Sequence, residues 1–207
     1  YGTSAGAFAG AYFLAGQAAL GTRIFYEDLT GSRFVNLWNM LRLQPVIDMD
    51  YLVDSVMRDR KPLDFDTLKT AQILFKVALT QVADGNTIFF SDFQSRNCLM
   101  NVLRASSTMP ILAGSAVRVD KAQFYDGGLG AQIPFWQATR DGFTHVLVCL
   151  PRSPSWKLTR RSLPEILAAV VLRFIYSKGL GDAQRNRRQI IYNDVTTLSN
   201  SLRIGNS

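Results

Sequence analysis

The chain has 207 residues, of which 47% are hydrophobic and 19% are charged. This length suits one α/β domain with a substantial core, and the composition excludes a disordered chain. The formal net charge is +7, and all of it follows residue 150: residues 1–150 carry 13 basic and 13 acidic side chains, whereas residues 151–207 carry 10 and 3. A basic tail on a neutral body, without zinc-ligand spacing or a recognition-helix signature, predicts one anion-facing surface and no nucleic-acid partner.

The chain opens on an uncharged run that ends at Thr22. Its length is about that of a membrane span. However, ten of the fifteen residues in Ala5–Ala19 are Ala or Gly, and few large apolar side chains are present to favour lipid. The run therefore predicts a helix over Ala5–Ala19 whose small side chains allow close packing inside a sandwich.

The elements predicted next are short. A helix is predicted near Val35–Leu43, in the run FVNLWNMLRL, which fits either an amphipathic core helix or a segment that lines an apolar groove or contacts a membrane. Asp48 is predicted to cap a helix over Tyr51–Arg58, because its carboxylate can accept from free backbone N–H groups. Thr87–Phe90 predicts a short buried strand, and Cys98–Ser106 predicts a helix.

The second half of the chain alternates strands with helices. Val117–Val119 and Gln123–Tyr125 are predicted to form a hairpin. His145–Leu150 is a continuous apolar run, typical of a strand covered on both faces. After a proline-containing connector, helices are predicted over Leu163–Ser177 and Asp182–Leu202. The pattern predicts an α/β sandwich over residues 1–150 and a basic, largely helical extension over residues 151–207.

The stretch GTSAG has the form G-x-S-x-G, with Ser4 between Gly2 and Gly6. In a nucleophile elbow, the serine lies on a tight strand-to-helix turn, and both glycines are expected to avoid collisions with the neighbouring strand and helix. The start of the following helix offers free backbone N–H groups that stabilise an oxyanion. Alone, the motif is too common to identify a nucleophile.

A serine nucleophile needs a base, and two residues are candidates. His145 would complete a Ser–Asp–His triad, but it opens an apolar strand and is expected at the wrong end of a parallel sheet. Asp126, in FYDGGLG, ends a strand and precedes Gly127 and Gly128, which permit another segment to approach closely. Its carboxylate can take the serine proton directly, although the same pattern also fits a simple Asp-Gly turn.

Together, GTSAG, ASSTMP and YDGG resemble the patatin-like phospholipase family over roughly residues 1–150. The resemblance implies an α/β fold, a three-layer sandwich with a mainly parallel central sheet and helices on both faces. It implies a dyad in which Ser4 is the nucleophile and Asp126 the base, with the Ala5 N–H as an oxyanion donor. It also implies hydrolysis of fatty-acyl esters of lipids through an acyl-enzyme, with no cofactor and no metal.

The sequence departs from the family in one respect. The family's glycine-rich loop, D-G-G-G-x-R-G, precedes the serine, and the sequence does not contain it. We expect the chain to be incomplete at its N-terminus, as a fragment of a longer protein, or else to be a degenerate homologue. Three functions stay open: a lipid acyl-hydrolase with a dyad, a non-lipid esterase whose triad includes His145, and an inactive lipid-binding protein.

The cysteines and the basic tail give predictions about where in the cell the protein is located. Cys98 and Cys149 do not indicate a disulfide framework, and Cys149 is predicted to be a buried, inert thiol, so a reducing, cytoplasmic location is predicted. The basic residues of the tail form either a solvated helix face or a surface that docks peripherally on an anionic membrane. They are concentrated at Arg152, Lys157, Arg160, Arg161, Arg185, Arg187 and Arg188.

Overall fold

A computed structural model describes residues 1–150 and 162–204. In this part of the chain the strands are β1 (Val77–Gln81), β2 (Thr87–Phe90), β3 (Val117–Val119) and β4 (Ala122–Asp126). The α-helices are α1 (Ala5–Leu14), α2 (Ala18–Arg23), α3 (Phe65–Thr70), α4 (Arg96–Ser107), α5 (Phe135–Arg140), α6 (Leu163–Ile175) and α7 (Lys178–Ile204). Shorter 3₁₀-helices cover Leu37–Arg42 and Gly127–Leu129, and π-helices cover Ile24–Asp28 and Tyr51–Arg60.

The helix predicted over Ala5–Ala19 is interrupted and forms α1 and the start of α2. Between them Gly16 has a φ of 69°, a left-handed conformation that favours glycine and ends a helix. Its N–H donates to the Phe13 carbonyl at 3.0 Å, which satisfies an acceptor that the helix end leaves open. None of the described helices has the length and apolarity required to cross a bilayer.

The middle of the chain follows the predictions with changes in helix type. The helix predicted near Val35–Leu43 is the 3₁₀-helix Leu37–Arg42. Asp48 caps as predicted, because its Oδ1 accepts from the Tyr51 N–H at 2.8 Å. The helix that follows is a π-helix and extends to Arg60. The helix predicted over Cys98–Ser106 is confirmed as α4, which is two residues longer at its start and one at its end.

The four strands form one sheet in the order β2-β1-β4-β3, and all three strand pairs are antiparallel. The prediction of a mainly parallel sheet is wrong for these strands. Connections of only a few residues join β1 to β2 and β3 to β4, whereas a parallel pair needs a crossover of a dozen residues or more. The hairpin β3–β4 is confirmed; β2 has the predicted extent but is a partly exposed edge strand. The three-layer arrangement stays a prediction.

One parallel contact joins the start of the chain to the central strand. Gly2 lies opposite Val77. The Gly2 N–H donates to the Lys76 carbonyl, and the Ala78 N–H donates to the Gly2 carbonyl, both at 2.9 Å. The long connection from Gly2 to Val77, which contains α1, α2 and α3, makes this parallel pairing possible.

The main core lies where α1, the helix Tyr51–Arg60, α4 and β1 pack together. Because its residues come from well-separated parts of the chain, the core holds the first turn of α1 against the central sheet. Its largest fully buried side chains include Tyr12, Met57, Leu79, Leu99, Met100 and Leu103.

The predicted tail helices are present as α6 and α7. Leu172 of α6 and Leu180 of α7 are buried in a second cluster with Tyr125 of β4. The Ser177 hydroxyl, between the two helices, donates to the Val82 carbonyl at 2.6 Å. The tail helices therefore pack beside the strand that ends at Asp126. The division of the chain into two units near residue 150 stays a prediction.

The strand predicted over His145–Leu150 is wrong. This segment has no regular secondary structure, and Leu147 is 93% exposed. Cys149 is exposed rather than buried, so that prediction is wrong as well. An apolar run is buried only where other elements cover it; here Val148 and Leu150 are partly buried against a small cluster that includes Ile191.

Candidate active site

Ser4 lies on the turn between the Gly2–Val77 contact and α1. Its backbone has φ 53° and ψ −125°, in the half of conformational space that residues other than glycine rarely occupy. A strained serine on a sharp turn into a helix is the geometry of a nucleophile elbow. The Ser4 side chain does not cap α1, so the helix end does not engage its hydroxyl.

The two glycines of the motif have different surroundings. A Cβ on Gly2 would lie 2.7 Å from the Cα of Ala7, so the turn can close only with glycine at this position. A Cβ on Gly6 would meet no atom within 4 Å. The steric reason expected for both glycines therefore holds for Gly2 and is wrong for Gly6.

The register of the sheet brings Asp126 to this turn. Asp126, the last residue of β4, lies opposite Leu79 on one edge of β1. Gly2 lies opposite Val77 on the same edge. Two residues of a strand span about 6.5 Å, so the chain just beyond Gly2 meets the end of β4. The Ser4 hydroxyl consequently lies beside the Asp126 carboxyl group and interacts with it.

Asp126 is only 5% exposed, and its surroundings fix its orientation. Its N–H donates to the Thr108 carbonyl, and its carbonyl accepts from the Thr80 hydroxyl, both at 2.9 Å. Its Oδ1 accepts from the Gly128 N–H at 2.7 Å. The backbone and one carboxylate oxygen are thus held, which leaves little rotational freedom to the side chain.

Burial raises the pKa of Asp126 from 3.8 to about 6. The Gly128 N–H, the charge of Arg187 and the Ser4 hydroxyl act in the opposite direction and keep the pKa from rising further. A general base is most effective when its pKa lies near the working pH. Perturbed carboxyl groups beside a nucleophilic side chain are concentrated at functional sites.

The glycines after Asp126 let the chain turn tightly against β1. A Cβ on Gly127 would lie 2.2 Å from the Ala78 carbonyl oxygen, and a Cβ on Gly128 would lie 3.0 Å from Asp126 Oδ1. The chain continues into a 3₁₀-helix over Gly127–Leu129 rather than into a returning strand. The Asp-Gly pair therefore does not form a simple hairpin turn.

Ser106 connects the turn at Ser4 with the central strand. It is fully buried near the end of α4. Its hydroxyl accepts from the Ser4 N–H at 3.0 Å and donates to the Ala78 carbonyl at 2.8 Å. In the sequence, Ser106 stands out only as part of ASSTMP, a stretch that contributes to the family resemblance, and no local pattern predicts its contact with Ser4. The resemblance itself was the one signal that could have singled out the residue.

The comparison with known families agrees with this geometry. The model of the patatin-like phospholipase family matches residues 1–139, which is more than half of the chain. The chain belongs to the patatin-like phospholipase family. A curated relative, the uncharacterized protein YjjU of Escherichia coli (strain K12), is 28% identical over 158 residues. The match covers 74% of this chain and 43% of YjjU, so the chain spans less than half the length of that relative.

Ala5 is the first residue of α1 in this patatin-like phospholipase domain, and it is exposed. Backbone N–H groups in the first turn of a helix have no acceptor within that helix. The Ala5 N–H, directly after the strained Ser4, is therefore available to a ligand. Its assignment as an oxyanion donor stays a prediction.

His145 has no contact with either member of the predicted dyad within the described residues. It lies on the exposed segment after α5, and its Nδ1 lies 3.0 Å from the Thr144 hydroxyl. Metal ligation is also not indicated, because residues 1–150 and 162–204 contain no cluster of three or more His, Cys, Asp or Glu side chains that could hold an ion.

The apolar segment FVNLWNMLRL is not a core helix, so that interpretation is wrong. None of the residues in its 3₁₀-helix is buried, and Trp38 is 72% exposed. The segment makes hydrogen bonds within itself and to the neighbouring loop, where the Asn36 N–H donates to the Val46 carbonyl at 2.8 Å. The exposed side chains are Leu37, Trp38, Met40, Leu41 and Leu43.

The basic residues of the tail divide into two groups. Arg152, Lys157, Arg160 and Arg161 lie outside the described residues. The remaining three, Arg185, Arg187 and Arg188, line a cleft between α6 and α7 and do not form a uniformly solvated helix face.

Proposed function

We propose that this protein is a serine lipid acyl-hydrolase that cleaves fatty-acyl esters of phospholipids or lysophospholipids. Ser4 is the nucleophile, and Asp126 is the base. The observation that carries the proposal is the position of a strained serine beside a buried carboxyl group whose pKa is raised to about 6. Membership of the patatin-like phospholipase family supports a lipid substrate.

The proposed reaction has two halves. In the first, Asp126 accepts the proton of the Ser4 hydroxyl while Ser4 Oγ attacks the ester carbonyl. The carbonyl oxygen becomes an oxyanion that the Ala5 N–H stabilises. The intermediate collapses to an acyl-enzyme, and the leaving alcohol takes the proton from Asp126. In the second half, Asp126 accepts a proton from water, the hydroxyl adds to the acyl-enzyme, and the fatty acid leaves as Ser4 regains its proton.

The alternative esterase needs His145 as a base, and the position of that residue offers it no support. A histidine base must reach the serine hydroxyl within hydrogen-bond distance or through one water. His145 instead contacts its neighbour Thr144 on an exposed segment. The alternative of an inactive lipid-binding protein predicts that Ser4 has no nucleophilic reactivity, which the experiment below measures directly.

Peripheral contact with a membrane is a second element of the proposal. The exposed segment Leu37–Leu43 presents large apolar side chains and Trp38 to solvent. Contiguous exposed apolar patches mark interaction sites, and tryptophan favours the interface between water and lipid. We infer that this segment inserts its side chains into the membrane surface that holds the substrate.

A fluorophosphonate probe tests the proposed nucleophile. The wild-type protein is expected to be labelled and to hydrolyse a short-chain p-nitrophenyl ester. Ser4→Ala should abolish labelling and lower the rate by about 10³-fold or more. His145→Ala serves as the control and should retain both properties. Equal labelling of the wild type and Ser4→Ala would overturn the assignment, and loss of activity in His145→Ala alone would favour the triad.

A further inference from the structure

A cleft of about 340 Å³ is lined by residues of both α6 and α7, and neither the proposed dyad nor its oxyanion donor uses it. Its two walls differ in chemistry. The α6 wall includes three small or apolar side chains, Ile166, Ala169 and Val170, and the α7 wall includes three arginines, Arg185, Arg187 and Arg188. A ligand that matches both walls has an apolar part and an anionic part.

The charges that line this cleft do not cancel. Its two acidic side chains, Glu165 and Asp182, each pair with an arginine of the cleft at 3.1 Å. Arg185 and Arg187 make no ion pair with a described residue. The cleft therefore has two positive charges without an acidic partner, which matches a phosphate group better than a single carboxylate.

Arg187 is the more enclosed of these two arginines. Its Nε is buried and has no hydrogen-bond partner among the described residues. Leaving a buried donor unpaired costs free energy, and an anionic ligand would supply the missing acceptor. The planar guanidinium can hold two phosphate oxygens at once. The α6–α7 cleft thus contains a buried donor group for which the described part of the chain provides no acceptor.

The cleft is adjacent to the proposed dyad. Leu180 of α7 is buried together with Leu129, which follows Asp126 by three residues. The Arg187 charge also reaches Asp126, since it is among the influences that act on that carboxyl group. A phosphate held by Arg187 would place the rest of its lipid near Ser4.

We propose that the α6–α7 cleft binds the headgroup of an anionic, phosphate-bearing acyl lipid, with Arg187 and Arg185 as the phosphate ligands. Arg187 is then a specificity-determining residue. The inference rests on the proposed function, because the bound lipid is the substrate of the dyad. A zwitterionic headgroup such as phosphocholine is disfavoured, since its cation would meet two arginines that form no ion pair with a described residue.

Binding of lysolipids to the Ser4→Ala protein tests this inference without turnover. The probes are palmitoyl lysophosphatidate, palmitoyl lysophosphatidylcholine and inorganic phosphate, with both lipids below their critical micelle concentrations. We expect lysophosphatidate to bind at least about tenfold more tightly than the zwitterionic lipid, as expected for hydrogen bonds to a charged group. Equal affinity of the two lipids would overturn the proposal, as would inorganic phosphate binding as tightly as lysophosphatidate.

Variants on α7 test whether Arg187 is responsible for the preference for the anionic lipid. Arg187→Gln, in the same background, should weaken lysophosphatidate binding by about 10- to 100-fold. Arg187→Lys keeps the charge and should retain part of the preference. Lys178→Gln is the matched control, because it removes one positive charge from the same helix outside the cleft and should leave binding unchanged. Equal losses in Arg187→Gln and Lys178→Gln would assign the effect to general charge and contradict the proposal.

Hydrolysis assays on proteins that retain Ser4 distinguish failure of this inference from failure of the proposed function. If Ser4→Ala hydrolyses esters as fast as the wild type, the dyad is wrong whatever the binding shows. If hydrolysis requires Ser4 but the lipids bind equally, only the cleft assignment is wrong. If Arg187→Gln slows anionic and zwitterionic esters equally and moves the pH profile, Arg187 acts through Asp126 and the headgroup site is again wrong.

Discussion

The sheet edge at Ser4 and Asp126 differs from the α6–α7 cleft in how polar groups are satisfied. At the sheet edge, the Ser4 N–H is paired with Ser106, and both backbone groups of Asp126 have partners within the protein. In the cleft, the Arg187 Nε is buried and has no hydrogen-bond partner among residues 1–150 and 162–204. A site whose geometry is fixed before the substrate binds is suited to catalysis. A site in which a buried N–H donor has no acceptor is suited to binding an external anion. If this comparison holds, substitutions at the sheet edge should change the rate and the stability, whereas substitutions in the cleft should change binding.

The largest expected effect is that of Asp126→Asn on the rate. The amide is nearly isosteric but cannot accept the serine proton, so kcat/KM should fall by about 10²- to 10⁴-fold. In the wild type, kcat/KM should rise as the pH increases through about 6, where the buried carboxyl group deprotonates. A pH series with a soluble ester measures both. An active Asp126→Asn variant would contradict the dyad.

The same substitution should change how stability depends on pH. Burial raises the pKa of Asp126 in the folded state from 3.8 to about 6, so its contribution to stability is present below pH 4 and lost as the pH rises through 6. The loss amounts to about 3 kcal/mol at neutral pH. Urea unfolding at pH 4.5 and pH 7 should therefore show a smaller pH dependence for Asp126→Asn than for the wild type. An unchanged pH dependence would show that Asp126 titrates normally.

Gly127→Ala should destabilise the fold by about 1–3 kcal/mol or more, because its Cβ would overlap the Ala78 carbonyl of the central strand. Gly6→Ala is the matched control: its Cβ meets no atom, so the free energy of unfolding should change by less than about 0.5 kcal/mol. Thermal unfolding of both variants provides the comparison. Similar losses in the two variants would mean that the turn after Asp126 is not closely packed against β1.

A smaller effect is expected from two adjacent serines. Ser106→Ala removes the partner of the Ser4 N–H and of the Ala78 carbonyl, at a cost of about 1–3 kcal/mol, and should also lower activity. Ser107→Ala is the control, since the Ser107 hydroxyl is buried, no described residue forms a hydrogen bond with it, and its removal should cost little. Urea unfolding measures the loss of stability, and ester hydrolysis measures the loss of activity. If Ser107→Ala is the more damaging change, the assigned link to the elbow is wrong.

The smallest effect concerns membrane contact. Trp38→Ala should weaken sedimentation with vesicles about three- to tenfold, as expected when one partly inserted side chain is lost. Phe13 is 68% exposed outside the Leu37–Leu43 segment, so Phe13→Ala is the control and should sediment like the wild type. Vesicles with and without anionic lipid, at low and high salt, separate apolar insertion from attraction to charge. Binding that responds to salt but not to Trp38→Ala would assign the contact to the basic tail.

Local patterns in the sequence predicted part of the local structure correctly. The Asp48 cap, α4 and the β3–β4 hairpin depend on residues a few positions apart, so short-range rules suffice for them. The same rules predicted one helix where Gly16 produces two, because composition alone does not show where a glycine adopts a left-handed conformation.

The sequence by itself determined the family, through two short motifs whose spacing is specific only when they occur together. The tertiary structure alone decided which residues meet. Asp126 lies beside Ser4 because β4 and Gly2 share one edge of β1, a strand that the sequence analysis did not predict. The charge of Arg187, 61 residues beyond Asp126 along the chain, also acts on that carboxyl group. Such contacts depend on strand register and helix packing, and no local pattern encodes either of these.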